Sequence, residues 1–201
     1  MITAQDKILH VANKLGLTSL QNMQASTGAV YDVDTDLSGQ IFSNAARHQN
    51  PSITNINENQ FEVNEALLVE TIAFYCLSAG GDVTNFQQQY GSNAVIMFDL
   101  IIGNKRVMKD TPIFAAGSPW AFANAGNKDA LIGEDVASTF IPRHQIFMEG
   151  AGVLIPPQVQ WYVQYTVFNI ITGAVIAPIE AKQIGCYLFG TKVLLNFNTT
   201  I

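Results

Sequence analysis

Strict alternation of apolar and polar side chains in the second half of the chain constrains the fold more than any other feature. It runs from residue 159 to residue 167, with an apolar set of Val159, Trp161, Val163, Tyr165 and Val167 and a polar set of Gln160, Tyr162, Gln164 and Thr166. Successive side chains of a β-strand point to opposite faces, so this stretch predicts a strand with Trp161 directed into a core. The opposite face is polar but carries no charge.

The chain after residue 60 has the period of β-strands, with no convincing helix between them. The segment "EALLVETIAFYCL" (65–77) predicts a strand whose core face includes Leu68 and Ile72. In "VIMFDLIIGNKRVMKD" (95–110), Gly103-Asn104 supplies a two-residue hairpin turn. Such a run predicts an all-β, antiparallel sandwich. The Gly- and Ala-rich stretch from Ser118 to Val136 suits the crossing connection of a Greek-key or jelly-roll sandwich better than a meander.

The first 60 residues have a different pattern from the rest of the chain. A helix is predicted near the start, because apolar residues recur at helical spacing and Gly16 is placed to cap its C-terminus. Residues 26–60 are rich in Asn, Ser, Thr, Gly and Asp, with isolated apolar residues, which predicts an extended arm. We therefore divide the chain into residues 1–60, a helix with an extended arm, and residues 61–201, the sandwich.

The apolar stripe of this helix, Ile8, Val11 and Leu15, must be covered by something. A helix of about a dozen residues is marginal in water by itself. Its own sandwich, a second subunit and a membrane surface are the three candidates. Only Lys7 and Lys14 add positive charge to the helix, which favours protein over an anionic membrane. The three apolar residues are therefore predicted as interface residues.

Low charge indicates a surface covered by neighbouring molecules. Charged residues make up 13% of the chain, against about 25% in a typical soluble domain. Protein interfaces are depleted in charge, so the neutral face formed by Gln160, Tyr162 and Gln164 is predicted to contact another subunit. An ordinary domain with a neutral polar coat is the alternative.

The charge pattern also limits the partners. The net charge is −6 and no run of Lys or Arg occurs, whereas nucleic-acid binding requires clustered cations. We therefore expect no nucleic-acid partner. We also expect no transmembrane segment, because Gln, Asn, Gly and Pro residues interrupt the most apolar window, Val159 to Ile179.

Three alternating carboxylates, Asp32, Asp34 and Asp36, have the spacing of a calcium loop. However, Leu37 stands where such a loop requires Gly, and Ser43 stands where it requires a bidentate Glu. The pattern favours an Asp-rich turn and leaves a looser calcium site open. No cofactor is predicted.

No catalytic constellation is recognisable. Each of the three histidines, His10, His48 and His144, lacks a second His or Cys at metal-ligand spacing, and no nucleophile elbow or phosphate loop occurs. Cys76 and Cys186 lie in apolar runs and are interpreted as buried thiols, with a disulfide between them left open. The sequence therefore predicts a protein that is not an enzyme.

Trp120 and Phe122 lie in a segment of small residues and are the best candidates for binding through aromatic side chains. Aromatic residues in such a loop can face a sugar or a partner, or can fold back as a lid over the sandwich. They are included among the predicted interface residues. They also support a second candidate function, a carbohydrate- or receptor-binding β-sandwich.

The order of these pieces resembles the single jelly-roll capsid proteins of tailless icosahedral bacteriophages. The resemblance lies in "EALLVETIAFYCL", the hairpin "VIMFDLIIGNKRVMKD" and the proline-led strand "GVLIPPQVQWYVQYTV" (152–167). It covers roughly residues 61–198 and rests on pattern. It implies a structural virion protein, made in the host cytoplasm, that assembles with copies of itself and with other capsid proteins. The basic N-terminal arm of plant-virus coats is missing, which argues against a role in packaging the genome.

Overall fold

The computed structural model describes one helix and eleven strands. The described residues are 3–17, 20, 23–43, 51, 53–56, 58–78, 83–84, 89–91, 93–112, 145–147, 152–179 and 182–195. The elements are α1 (Ala4–Leu15), β1 (Gln24–Val33), β2 (Gln40–Ile41), β3 (Glu65–Ser78), β4 (Val83–Thr84), β5 (Ala94–Ile102), β6 (Lys105–Pro112), β7 (Gln145–Phe147), β8 (Val153–Ile155), β9 (Trp161–Asn169), β10 (Val175–Ile176) and β11 (Lys182–Leu194).

The strands form two antiparallel sheets. Sheet A has the order β1-β11-β3-β4, and β7 and β8 also pair with β3. Sheet B has the order β10-β9-β5-β6, and β2 also pairs with β9. These sheets, together with helix α1 near the N-terminus, confirm the prediction of an antiparallel all-β fold. The two-residue turn between β5 and β6 is also confirmed at Gly103-Asn104.

The main core contains side chains from both sheets, with Trp161 of β9 among them. Along β9, Trp161, Val163, Tyr165 and Val167 are buried, as the alternation predicts. The Trp161 ring lies 4.7 Å from the Phe42 ring centroid and 5.7 Å from that of Phe61. Phe42 belongs to the predicted arm and Phe61 to the segment before β3. Trp161 therefore packs against residues that are distant from it in sequence.

The core face of β3 differs from the predicted one because the pairing is irregular. Leu67 and Val69 face the main core before the irregularity, and Ile72 faces it afterwards. Leu68, predicted on the core face, instead packs on the opposite side of sheet A. The register of β3 against β11 shifts between Phe189 and Gly190, and an extra residue in one strand reverses its side-chain alternation beyond that point.

The segment predicted as an extended arm contributes strands to both sheets. β1 pairs with β11 over its whole length, from Gln24↔Leu194 to Val33↔Gly185, and β2 pairs with β9. The boundary drawn at residue 60 therefore does not separate the sheets from the arm. β1 lacks a visible strand pattern because its first half consists of small and polar residues, and backbone hydrogen bonds provide its pairing.

The outer edge of β1 is partly occupied by Asn55. Its side-chain amide donates to the carbonyl of Ala29 and accepts from the backbone N–H of Tyr31, both at 2.8 Å. Its own backbone N–H donates to the carbonyl of Tyr31 at 3.2 Å. An unpaired strand edge is a template for pairing with another chain. Asn55 prevents such pairing at Ala29 and Tyr31, because it occupies their backbone hydrogen-bonding groups.

Helix α1 packs against the outer face of its own sheet A. Val11 is fully buried in a second apolar cluster with Ala66, Leu68, Val193 and Leu195. Lys7 adds an ion pair to Glu70 of β3, with Nζ and Oε1 2.5 Å apart, and a hydrogen bond to Thr191 of β11. This corrects the prediction of Val11 as an intermolecular contact, since the chain itself covers it.

Because the helix belongs to its own fold, Val11→Ala should destabilise the isolated chain. We expect a loss of about 2 kcal/mol in the free energy of unfolding, the transfer cost of two methyl groups with a small cavity. Urea denaturation of the monomer measures it. Asn13→Ala, at an exposed position of the same helix, is the control and should change stability by less than about 0.5 kcal/mol. Unchanged stability of Val11→Ala would mean that the helix does not support its own sandwich.

Candidate assembly surfaces

The predicted polar face of β9 lies on the outside of sheet B. Gln160 and Gln164 are exposed, and Tyr162 is half-buried. Register places Gln164 directly between Gln40 of β2 and Asp99 of β5. Directly opposed residues of antiparallel strands share a face, so the structure brings the predicted residues together on one surface.

That surface is not free of charge, which differs from the prediction of a neutral face. Asp99 is largely buried in it, and its Oδ2 lies 3.1 Å from a guanidinium nitrogen of Arg106. Its Oδ1 accepts a hydrogen bond of 2.6 Å from the backbone N–H of Asp110. Alternation along β9 cannot reveal what the neighbouring strands contribute. The face therefore combines neutral amides with a compensated ion pair.

The remaining predicted interface residues fall into two groups, two in the helix and two outside the described residues. Ile8 and Leu15 of the helix are half-buried, with Leu15 packed against the second apolar cluster. Trp120 and Phe122, together with the stretch from Ser118 to Val136, lie outside the described residues.

An exposed apolar turn between β9 and β10 was not identified from the sequence. Ile170, Ile171 and Val175 have 57%, 72% and 63% of their surface exposed. Single exposed apolar residues are ordinary, but here three aliphatic side chains stand within six residues. The one signal that could have indicated them is the lack of any charged residue between Glu149 and Glu180.

This turn, residues 169–175, is held by its own hydrogen bonds. Asn169 Oδ1 accepts from the backbone N–H groups of Ile171 and Thr172 at 2.9 and 3.1 Å. The backbone N–H of Asn169 donates to the carbonyl of Ala174, and that of Gly173 donates to the carbonyl of Asn169, both at 2.8 Å. Gly173 has a φ of 69°, a left-handed conformation that favours glycine. The apolar side chains therefore project from a defined backbone.

The predicted Asp-rich turn connects the two sheets through Asp34. Its buried carboxylate accepts hydrogen bonds from the Tyr165 hydroxyl of sheet B at 2.8 Å and from Gly39 N–H at 2.7 Å. The Ser38 N–H and hydroxyl also donate to it, each at 3.1 Å. On the other side, the Asp34 N–H donates to the carbonyl of Ile184 in sheet A.

The three aspartates do not form a calcium site in the described structure. Asp32 points into the interior and accepts a hydrogen bond of 2.6 Å from the backbone N–H of Phe42, whereas Asp36 is exposed. Throughout the described ranges, no group of three or more His, Cys, Asp or Glu residues could hold a metal ion. The alternating carboxylates instead organise the path from β1 to β2.

The environment of Asp34 shifts the pKa of its carboxyl upwards from the ordinary value. Burial raises the pKa of this carboxyl, and a hydrogen bond with Asp36 raises it further, while the donors from Tyr165, Gly39 and Ser38 act in the opposite direction. A group whose pKa is higher in the folded state binds its proton more tightly there. Its stabilising contribution is complete below the unfolded pKa, near 3.8, and is lost as the pH rises through the folded value.

The stability difference between the wild-type chain and Asp34→Asn should therefore depend on pH. We expect the wild-type chain to have its greatest relative stability at about pH 3, below the unfolded pKa, and to lose part of it by about pH 7. Denaturant unfolding of both chains at several pH values measures the difference. A difference that is constant or grows with pH would contradict this assignment.

Cys76 and Cys186 are buried thiols, as interpreted from their apolar surroundings. Burial raises the pKa of the Cys76 thiol to about 12 and raises that of Cys186 well above its ordinary value. The thiolate is the reactive form of cysteine, so both groups are inert near neutral pH.

Comparisons with known proteins do not assign a function. No family model matches the chain, and neither a curated protein nor a solved structure matches it. Among the described residues, no helix is long and apolar enough to span a membrane.

Proposed function

We propose that this chain is a single jelly-roll coat protein that self-assembles into a viral capsid shell. The observation that carries the proposal is the strand order. A jelly roll is a long hairpin of eight strands, paired 1·8, 2·7, 3·6 and 4·5 and rolled into two sheets. Taking β1, β2, β3, β5, β6, β8, β9 and β11 as its eight strands, these pairs correspond to β1·β11, β2·β9, β3·β8 and β5·β6, and all four occur.

The contacts that join the hairpin pairs into sheets also fit. Rolling the hairpin brings strand 8 beside strand 3 and strand 7 beside strand 4. The corresponding pairs are β11·β3 and β9·β5, the two longest antiparallel pairings besides β1·β11. The two sheets then have the orders 1-8-3-6 and 2-7-4-5. With this assignment of the eight strands, β1 and β2, which lie in the predicted arm, are the first two strands of the jelly roll.

Assembly is supported by the surface chemistry. Charged residues make up only 13% of the chain, against about 25% in a typical soluble domain, and protein interfaces are depleted in charge. The outer face of sheet B presents Gln160, Tyr162 and Gln164, whose neutral groups can form hydrogen bonds with a neighbour without desolvating an unpaired charge. In this proposal the protein acts mechanically, in a virion, with copies of itself and with other capsid proteins as partners. Nucleic acid is not a proposed partner.

Gln164→Lys tests whether the outer face of sheet B is the contact. The exposed position should tolerate the change, so the monomer should fold with wild-type stability, whereas a new charge at a contact would be desolvated and should impair assembly. Multi-angle light scattering measures the mass of the particles. Gln24→Lys, at an exposed position of β1 in sheet A, adds the same charge as a control and should assemble.

The outcomes separate the alternatives. Normal assembly of Gln164→Lys would mean that this face is not an interface. A wild-type chain that remains a monomer or forms only a trimer would argue against a shell and favour the carbohydrate- or receptor-binding sandwich.

A further inference from the structure

The turn at residues 169–175 has three properties of a contact formed between preorganised surfaces. Its aliphatic side chains are exposed, with Ile171 at 72%. Its backbone is fixed by hydrogen bonds to Asn169, so little conformational entropy would be lost on binding. It also adjoins the start of β5, because the N–H of Ile170 donates to the carbonyl of Asn93 at 2.8 Å. This contact fixes the turn against the body of sheet B.

The charge of the chain indicates what can approach this turn. Each copy has a net charge of −6, so copies repel one another in general. The turn lies within the stretch between Glu149 and Glu180 that has no charged residue. Because β9, the turn and β10 contain no charged side chain, these elements can meet the same elements of a second copy without desolvating an ion of their own.

A lipid surface fits the turn less well than a second copy does. Binding to anionic headgroups uses Lys and Arg beside the apolar residues. No Lys or Arg occurs between Arg143 and Lys182, and the overall negative charge opposes approach to an anionic bilayer.

We propose that the 169–175 turn is a self-contact, in which Ile170, Ile171 and Val175 pack against the same turn of neighbouring copies. Closed assemblies bring identical surfaces together around their symmetry axes, and an uncharged aliphatic surface is complementary to itself. This inference rests on the proposed shell function and names one of the surfaces that would join the copies.

Ile171→Lys tests the self-contact. The variant should fold as the wild type does, because the side chain is exposed and the turn is held through backbone groups and Asn169. Its assembled fraction should fall at least about tenfold, the effect of a contact weakened by roughly 1.4 kcal/mol. Val63→Lys is the matched control, since Val63 is 66% exposed outside the turn, and it should assemble normally. Ile171→Val should also assemble.

The results distinguish failure of this inference from failure of the proposed function. If the wild-type chain does not assemble, the shell proposal fails. If the wild-type chain and Ile171→Lys assemble equally, the shell stands and the self-contact is refuted. Binding of the wild-type chain, but not of Ile171→Lys, to neutral phosphatidylcholine vesicles would identify lipid as the occupant and would also refute it.

Disulfide cross-linking tests directly whether the same turns meet. Thr172→Cys places a thiol on the exposed turn, and Cys76 and Cys186 are buried. Two cysteines form a disulfide only when their Cα atoms are within about 7 Å. Mild oxidation of assembled particles should give cross-linked dimers, and oxidation of dilute unassembled chain should not. Assembled particles without cross-links at this position would overturn the self-contact.

Discussion

Trp161→Ala is expected to lower the free energy of unfolding by about 3–5 kcal/mol, the cost of removing a large buried aromatic side chain. Trp161 is fully buried and packs between Phe42 and Phe61. Within the described part of the chain its indole nitrogen has no hydrogen-bond partner, so the loss comes from packing alone. Since domains are stable by only about 5–15 kcal/mol, this loss removes a large fraction of the free energy of unfolding.

Gln164→Ala provides the control for this substitution. It lies on the same strand with its side chain on the opposite, exposed face, and its effect on unfolding should stay within about 0.5 kcal/mol. Equilibrium denaturation followed by far-UV circular dichroism, which reports on the backbone and not on Trp161, measures the free energy of unfolding of both variants. A Trp161→Ala chain as stable as Gln164→Ala would contradict the placement of Trp161 in the core.

Gly190→Ala is expected to lower the free energy of unfolding by about 3 kcal/mol, which is the upper end of the range for overpacking in a protein interior. A Cβ atom at this position would lie only 1.9 Å from the carbonyl oxygen of Leu68. The obstructing atom is backbone, so it cannot move aside as a flexible side chain could. The substitution must separate β11 from β3 at the irregularity that orients Leu68 towards helix α1.

Gly173→Ala is the matched control. Nothing lies within 4 Å of a Cβ atom placed there, although its φ is 69°. The free energy of unfolding of this variant should fall only by the cost of placing alanine in the left-handed conformation, about 1–2 kcal/mol. Thermal or urea denaturation compares the two. Equal effects at both glycines would mean that the close approach of β11 to β3 does not constrain residue 190.

Features with a local cause could be predicted from the sequence. The alternation around Trp161 correctly identifies its buried face, because side-chain direction in a strand depends only on parity. The helix ends as predicted, with Gly16 in the left-handed conformation at φ 70°. The turn at Gly103-Asn104 was likewise predicted from two adjacent residues.

Features that depend on partners distant in sequence could not be predicted. β1 is recognisable as a strand only through its pairing with β11, since its own residues are small and polar. The irregularity at Gly190 reverses the face of Leu68, and no signal within β3 indicates it. Asp99 enters the Gln164 face because register places it there. The spacing of the three aspartates resembles that of a calcium loop, but it does not show which groups their oxygens bind. In the structure the Asp34 carboxylate accepts hydrogen bonds from Ser38 and Gly39 in the turn and from Tyr165 in sheet B.

The shell proposal itself depends on the strand order and on a surface with little charge. Both describe one subunit, whereas the proposed function is a property of many. A direct image of the assembled protein is therefore the most decisive measurement.

That measurement is electron microscopy of the purified 201-residue chain, concentrated under conditions that keep it folded. We expect closed shells or regular shell fragments of uniform curvature, which are lost in Gln164→Lys and Ile171→Lys and retained in Gln24→Lys and Val63→Lys. A field of folded monomers or trimers, with no ordered assembly at any concentration, would contradict it.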